Sequence, residues 1–262
     1  MTADTPAFDA TDPGALPPIA RHTMPDGRSI AYRHAPGHGP MLVFLPGYMS
    51  DMDGSKATAL LADAAAQGRS CLLLDYSGCG RSSGSFAEGT LSRWRDEVVA
   101  LVRAVSDGPV VLVGSSMGGW LMLLVAAALR QRVAGIAGIA AAPDFSEWGY
   151  SEEQKRALGA GRVVLEDNPY GPDPTPTHPG FWSDAQGHLL LDGTIALDCP
   201  VRLLHGQRDE DVPWRISMEL AQALRSSDVQ VTLVKDGDHR LSGEAEIALL
   251  RRTVAGLLEQ LS

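Results

Sequence analysis

Positive charge is what this chain has least of. Its 262 residues carry 22 Lys and Arg against 32 Asp and Glu, a formal charge of −10. Nucleic acid and an anionic membrane surface would both repel such a protein, and no basic patch offsets the balance, so neither is an expected partner. Long apolar runs are missing too: none reaches about 18 residues, so no segment is expected to span a membrane. Residues 1–20 hold acids and prolines without an apolar core. That fits neither a secretory signal nor a transit peptide and reads as a flexible leader. Cysteine is scarce, and Cys71, Cys79 and Cys199 are far apart and odd in number. They argue against a disulfide framework or a zinc site and read as buried thiols in a reducing compartment, the cytoplasm. His22, His34 and His38 lie among Pro and Gly without metal-ligand spacing, so no metal is expected. The apolar fraction of 44% is ample for one core, and residues 21–262 read as one domain. The Ala, Gly and Arg usage points to a GC-rich bacterial genome. Oligomeric state is left open.

Strand and helix signals alternate along the chain. Arg21–Met24 and Ser29–His34 flank the turn signal Pro25-Asp26-Gly27 and read as a hairpin. The spacing then predicts strands at Met41–Leu45, Ser70–Asp75, Val110–Val113, Val133–Ala140, Val201–His205 and Val229–Val234. Helices are predicted at Ser55–Gln67, Leu91–Val105, Gly119–Ala128, Ile216–Leu224 and Glu244–Leu261. Helices between successive strands mean right-handed crossovers and a mostly parallel sheet covered on both faces, with only the first hairpin antiparallel. One interruption, from about 143 to 197, is too long for an ordinary connection. It holds one predicted helix, Ser151–Leu158, and the Pro-rich stretch Asn168–Pro179. Aromatics are few, yet six of the fifteen gather here: Phe145, Trp148, Tyr150, Tyr170, Phe181 and Trp182. The stretch reads as a small cap over the carboxyl end of the sheet, with Trp148, Tyr170, Phe181 and Trp182 as candidate substrate-lining residues. The competing reading is a surface excursion that its aromatics pin down.

Gly114-Ser115-Ser116-Met117-Gly118 stands between the Val110–Val113 strand and a largely apolar helix. A Gly-x-Ser-x-Gly in that position is a nucleophile elbow, in which flanking glycines are expected to let the chain turn and expose Ser116 Oγ. A serine hydroxyl needs a base to take its proton, and the base needs an acid to fix its tautomer. Both follow in the order this arrangement requires. Asp209 lies after the Val201–His205 strand, and His239 lies between the last strand and the last helix. The carboxyl ends of parallel strands open on one side, where distant residues can meet. Asp211 and Glu210 are rival acids. His205 is the rival base, but it ends a strand and reads as packing beneath the acid loop. His178 and His188, in the interruption, are in a place to touch substrate but read as lone surface histidines. The N–H of Met117 is a candidate oxyanion donor at a helix N-terminus. The second candidate is the Tyr48 N–H, in Pro46-Gly47-Tyr48. Asp75 reads as an acid that bonds turn amides.

With these residues in place the chain resembles the α/β-hydrolase family. Within it, several stretches resemble the subgroup of the mitochondrial palmitoyl-protein thioesterase and acyl-glucuronide esterase and its bacterial relatives. They are Phe44-Leu45-Pro46-Gly47-Tyr48, Asp75-Tyr76-Ser77-Gly78, Gly114 to Met122, Arg202 to Gly206 with Val212-Pro213-Trp214, and Asp238-His239-Arg240. The resemblance implies Ser116 as nucleophile, Asp209 as acid and His239 as base, without a cofactor. It also implies acyl ester or thioester substrates, S-acylated protein among them. The acidic leader and the Pro-rich interruption depart from the subgroup. Outside this reading stand an amidase or peptidase on the same triad and a binding protein that kept the fold without the reaction.

Overall fold

The computed structural model describes residues 16–169 and 171–261; residues 1–15, most of the expected leader, and Tyr170 lie outside them. The rest of the expected leader is tied to the body, since Arg33 donates to the Pro17 carbonyl at 2.6 Å and Ala20 already opens the first strand.

Ten strands and eight α-helices are described. β1 (Ala20–Thr23) and β2 (Ser29–Ala35) form the expected hairpin. β3 (His38–Leu45) follows, then α1 (Ser55–Ala66), β4 (Arg69–Leu74), α2 (Leu91–Val105) and β5 (Val110–Ser115). Next come α3 (Met117–Leu129) and β6 (Val133–Ile139). Between β6 and β9 (Val201–Gly206) lie α4 (Phe145–Trp148), α5 (Glu152–Gly159), β7 (Val164–Glu166), β8 (Thr175–Thr177) and α6 (Pro179–Gln186). The chain closes with α7 (Arg215–Ala223), β10 (Val229–Val234) and α8 (Glu244–Gln260).

Eight strands make one sheet in the order β1-β2-β4-β3-β5-β6-β9-β10. From β4 to β10 every pair is parallel, and β2 runs against both β1 and β4. Gly37 marks the short return from β2 to β3: a Cβ there would lie 2.3 Å from the Arg69 carbonyl carbon. Within this sheet the antiparallel pairs are confined to those made by the first hairpin, as expected; β7 and β8 form a separate two-stranded antiparallel sheet that the sequence left as loop. Strands of three residues, one of them Thr-Pro-Thr, are too short to show an alternating pattern.

Period-two alternation in the strands sets the layers. Met41, Val43 and Leu45 of β3 face a core shared with α2 and α3, while Leu42 and Phe44 face one shared with α1 and α8. α3 is buried on nearly all sides, as its run of apolar residues requires. α2 is amphipathic, and Thr90 caps it by accepting from the Arg93 N–H at 3.1 Å. In the insertion, Ser151 and Gln154 form a capping box that starts α5 one residue after the sequence placed it. α6, which the sequence left as loop, begins with Pro179 in its first turn, where a missing N–H costs nothing.

Candidate active site

β5 delivers Ser116 at the carboxyl edge of the sheet, immediately before α3. Its backbone has φ 55° and ψ −123°, a region L-residues rarely occupy. Three bonds hold it there: Ser116 N–H donates to Ile139 O at 2.9 Å, and its own carbonyl accepts from Gly119 at 2.8 Å and Ala142 at 3.1 Å. The neighbouring glycines serve differently from expectation. Neither Gly114 nor Gly118 has a positive φ. They supply room: a Cβ on Gly114 would meet Gly118 O at 2.3 Å, and one on Gly118 would meet Leu45 O at 2.1 Å. The strain of the turn therefore sits on the serine itself.

His239, in the loop between β10 and α8, points Nε2 at Ser116 Oγ, 3.1 Å away. Its Nδ1 is 2.9 Å from Asp209 Oδ2. The three side chains form one hydrogen-bonded chain. Asp209, in the loop after β9, has a side chain with no solvent exposure. Its Oδ1 accepts from the N–H groups of Asp211 at 3.0 Å and Val212 at 2.7 Å. Burial alone would raise its pKa, but hydrogen bonds from His205 and His239, with the backbone bonds, overcome that and hold it well below the usual carboxylate range. The rival acids Glu210 and Asp211 are exposed.

His205 does not reach Ser116; it lies buried beneath the acid loop, as the sequence suggested. Its Nε2 faces Asp209 Oδ2 at 3.1 Å and Val212 O at 2.9 Å, and its Nδ1 lies 2.7 Å from Ser217 Oγ. Two acceptors before one nitrogen assign the proton to Nε2. Asp75 is also buried and accepts from the Met52 and Arg81 N–H groups, each at 2.8 Å. Burial raises its pKa more than those bonds lower it.

A cavity of about 590 Å³ opens above Ser116 and His239. Gly47 brings the β3 loop close to the elbow, since a Cβ there would stand 3.4 Å from Ser116 Cβ. Tyr48 and Met117 line the same space, and Met117, as the first residue of α3, has an N–H that no helical carbonyl can reach. The Tyr48 ring sits among Phe86, Phe181, Phe145 and Trp94, with ring centres 4.9 to 6.3 Å away, and its hydroxyl donates to Pro176 O at 3.0 Å. Burial pushes its pKa up.

Of the candidate lining residues, Trp148 borders the cavity, with its Nε1 donating to Pro143 O at 2.8 Å. Phe181 does not; it is 1% exposed and stacks on Phe145 in the core. Trp182 packs beside Tyr150, Leu158 and Val164, and its Nε1 donates to Ser146 O at 3.1 Å. Tyr170 lies outside the described residues. Adjacent positions on α6 point about 100° apart, so Phe181 and Trp182 take different surroundings. Sequence reasoning passed over Phe145, Tyr150, Lys56 and Arg240, which do border the cavity. Two of these were within its aromatic cluster. His188 is fastened rather than free, its Nε2 lying 2.7 Å from Ser92 Oγ, and the His178 ring meets Phe86 edge to face. Cys71 and Cys79 are buried free thiols, whereas Cys199 is only half-buried.

Among the described residues one group has metal-ligand proximity: Asp209, Asp211 and His239, with donor atoms within 4.8 Å. Asp209 Oδ2 and His239 Nδ1 face each other, while Asp209 Oδ1 accepts from backbone N–H groups and His239 Nε2 faces Ser116 Oγ, so a cation would have to break the chain that orients His239.

Residues 40–170 match the family described as alpha/beta hydrolase fold. The chain is 38% identical over 242 residues to the human mitochondrial palmitoyl-protein thioesterase ABHD10, covering 91% of this chain and 79% of that protein. The chain belongs to the α/β-hydrolase family. The mouse protein of the same name is 41% identical over 240 residues, covering 89% of this chain and 80% of its own. Among solved structures, mouse alpha/beta hydrolase domain-containing protein 10 superposes with a TM-score of 0.87 at 37% identity, covering 94% of this chain and 100% of that one. A putative hydrolase from Agrobacterium vitis S4 gives 0.86 at 36%, covering 92% and 99%. No helix among the described residues is long and apolar enough to cross a membrane.

Proposed function

We propose that this chain is a serine hydrolase cleaving carboxylic esters or thioesters with an apolar acyl group. The observation that carries the reading is the continuous Ser116–His239–Asp209 hydrogen-bonded chain opening into a cavity bordered by Phe145, Trp148 and Tyr150. His239 takes the Ser116 proton as Oγ attacks the carbonyl carbon, and Asp209 stabilises the imidazolium that forms. The N–H groups of Met117 and Tyr48 hold the oxyanion. The tetrahedral intermediate collapses to an acyl-enzyme as His239 returns the proton to the leaving oxygen or sulfur. Water then attacks the acyl-enzyme, with His239 again as base, and releases the acid. The chemistry uses no cofactor and no metal.

Residues 21–262 act as one hydrolase domain, and the insertion at 143–197 is its cap, contributing the apolar wall for the acyl chain. Relatives named as palmitoyl-protein thioesterases support an acyl thioester as substrate, S-acylated protein included. Those relatives are mitochondrial by name. The free thiols of this chain support a reducing compartment, for which we keep the cytoplasm of a bacterium.

A fluorophosphonate should label the wild-type protein and leave Ser116→Ala unlabelled. kcat/KM for matched oxygen esters and thioesters from acetyl to palmitoyl should rise with chain length, most strongly for thioesters. A fall beyond short acyl groups would make it a small-ester hydrolase. Absence of both labelling and turnover would leave a ligand-binding protein.

A further inference from the structure

The stretch from Pro46 to Met52, which carries the Tyr48 N–H, is fastened at both ends to one dipeptide. The buried Tyr76 hydroxyl donates to Pro46 O at 3.1 Å, and the Met52 N–H donates to Asp75 Oδ1 at 2.8 Å. Asp75 and Tyr76 follow β4 directly, so both ends are tied to the sheet. Between those ends the chain turns on itself, with the Ser50 N–H donating to Gly47 O at 3.2 Å. Gly47 has no Cβ, which leaves the peptide plane bearing the Tyr48 N–H easy to rotate. The direction of that N–H then depends on what holds Tyr48.

The Tyr48 ring meets Phe86 and Trp94 of the body, and Phe145 and Phe181 of the insertion, all edge to face. Such ring contacts are individually weak and let a ring shift at small cost. The bond from its hydroxyl to Pro176 O, at 3.0 Å, is directional. Pro176 is the middle residue of β8, whose Thr175 and Thr177 line the cavity. Proline has no N–H to offer β7, and its carbonyl takes the Tyr48 proton. Tyr150 braces the same strand, its hydroxyl 2.7 Å from Thr177 Oγ1, with both residues buried. Burial, and then Tyr150, push the Tyr48 pKa up while Thr177 acts in the opposite sense, so the hydroxyl stays a protonated donor at neutral pH.

We propose that the Tyr48 hydroxyl is a positioning group: by anchoring Tyr48 on Pro176 of the insertion, it fixes the direction of the Tyr48 N–H and ties oxyanion stabilisation to the placement of β8. The proposal rests on the serine-hydrolase reading and adds the side chain that sets the oxyanion donor. In acylation, Ser116 Oγ bonds to the carbonyl carbon, the π electrons move to the carbonyl oxygen, and the proton goes to His239. Deacylation repeats this with water as the nucleophile. Both steps pass through an oxyanion, so a misdirected N–H slows both and lowers kcat while KM moves little.

Tyr48→Phe keeps the ring and removes the anchor. The probe of the oxyanion is 1,1,1-trifluorodecan-2-one: Ser116 Oγ adds to its carbonyl carbon, His239 takes the proton, and the oxygen becomes the anion, with no leaving group. In Tyr48→Phe, kcat on 4-nitrophenyl octanoate should fall about tenfold and Ki for the ketone rise about tenfold, with KM within about twofold, a part of what outright loss of an oxyanion donor costs. Ki does not depend on the folded fraction, so a less stable preparation still gives the answer. Gln186→Met is the control, since it removes a bond to Ser146 Oγ, 3.0 Å long, elsewhere in the insertion. It should lower Tm and leave kcat and Ki within about twofold, as expected for a bond that acts on stability alone. Unchanged kcat and Ki in Tyr48→Phe, a loss confined to KM, or an equal loss in Gln186→Met overturns the proposal. If the wild-type protein neither hydrolyses the octanoate nor binds the ketone, the serine-hydrolase reading itself has failed.

Discussion

His205 offers the sharpest test of how the acid loop is held, and His205→Phe is the perturbation to make. The Asp209 carboxylate has four hydrogen bonds: two backbone N–H groups on Oδ1, and His239 and His205 on Oδ2. Phenylalanine keeps the ring and removes the fourth bond. It also strips Val212 O and Ser217 Oγ of the partner each has in His205. Each buried polar group left unpaired costs about 1–3 kcal/mol, so the variant should lose about 2–5 kcal/mol of stability. For a chain of this size that is a Tm lower by about 5–15 °C.

Activity should suffer less, because two effects oppose each other. Without His205, Oδ2 becomes a better acceptor for the His239 imidazolium, while the carboxylate is held less firmly in place. We expect kcat/KM on an octanoyl ester to fall by about tenfold, the scale of one charged hydrogen bond. Asp209→Asn, which removes the charge and favours the wrong His239 tautomer, should cost about 10⁴-fold. Thermal unfolding followed by circular dichroism and steady-state kinetics on the three proteins give the comparison. A His205→Phe loss as large as that of Asp209→Asn would refute the assignment, since His205 would then be acting on the serine. An unchanged Tm would equally sink the claim that His205 braces the loop.

Gly118→Ala places a methyl group where Leu45 O and Pro46 O lie 2.1 and 2.4 Å from the new carbon. The β3 loop must move, taking the Tyr48 N–H with it. We expect kcat to fall about 10²-fold or more with the fold intact by circular dichroism, as for loss of an oxyanion donor; a fall in KM-dependent binding alone would contradict this. The pH dependence of stability follows from Asp209. Its folded pKa lies below the ordinary 3.8, so its stabilising contribution is complete above the unfolded pKa and is lost as pH falls below about 4 toward the folded value. The difference in urea midpoint between wild type and Asp209→Asn should be flat from neutral pH to about 5 and shrink below 4. A difference that persists unchanged into that acid range would mean the carboxylate is not specially held in the native state.

The parts of the site that could be read from sequence are those where backbone geometry and chemistry demand the same residues. Ser116, Asp209 and His239 each follow an apolar strand in a stretch rich in Gly or Asp. In a parallel sheet, such places all open on one edge. Leu91–Val105 and Val229–Val234 were bounded to the residue, because a Thr cap and a β-branched alternation mark their ends. The insertion resisted for the opposite reason. Its strands have three residues each, and its last helix is announced only by Pro179, which a loop would also favour. Its aromatics are visible in sequence, but their directions are set by tertiary contacts: Phe145 and Trp148 reached the cavity, while Phe181, stacked on Phe145, went into the core. Lys56 illustrates the deeper limit. In sequence it is one more polar residue near the start of a helix, and nothing local marks it. It comes to border the cavity only because α1 and α8 pack side by side, bringing it to the carbonyl of Arg240, 184 residues away. Chemistry borne by one turn is legible before folding, whereas a contact between a helix start and a distant loop is written only in their packing.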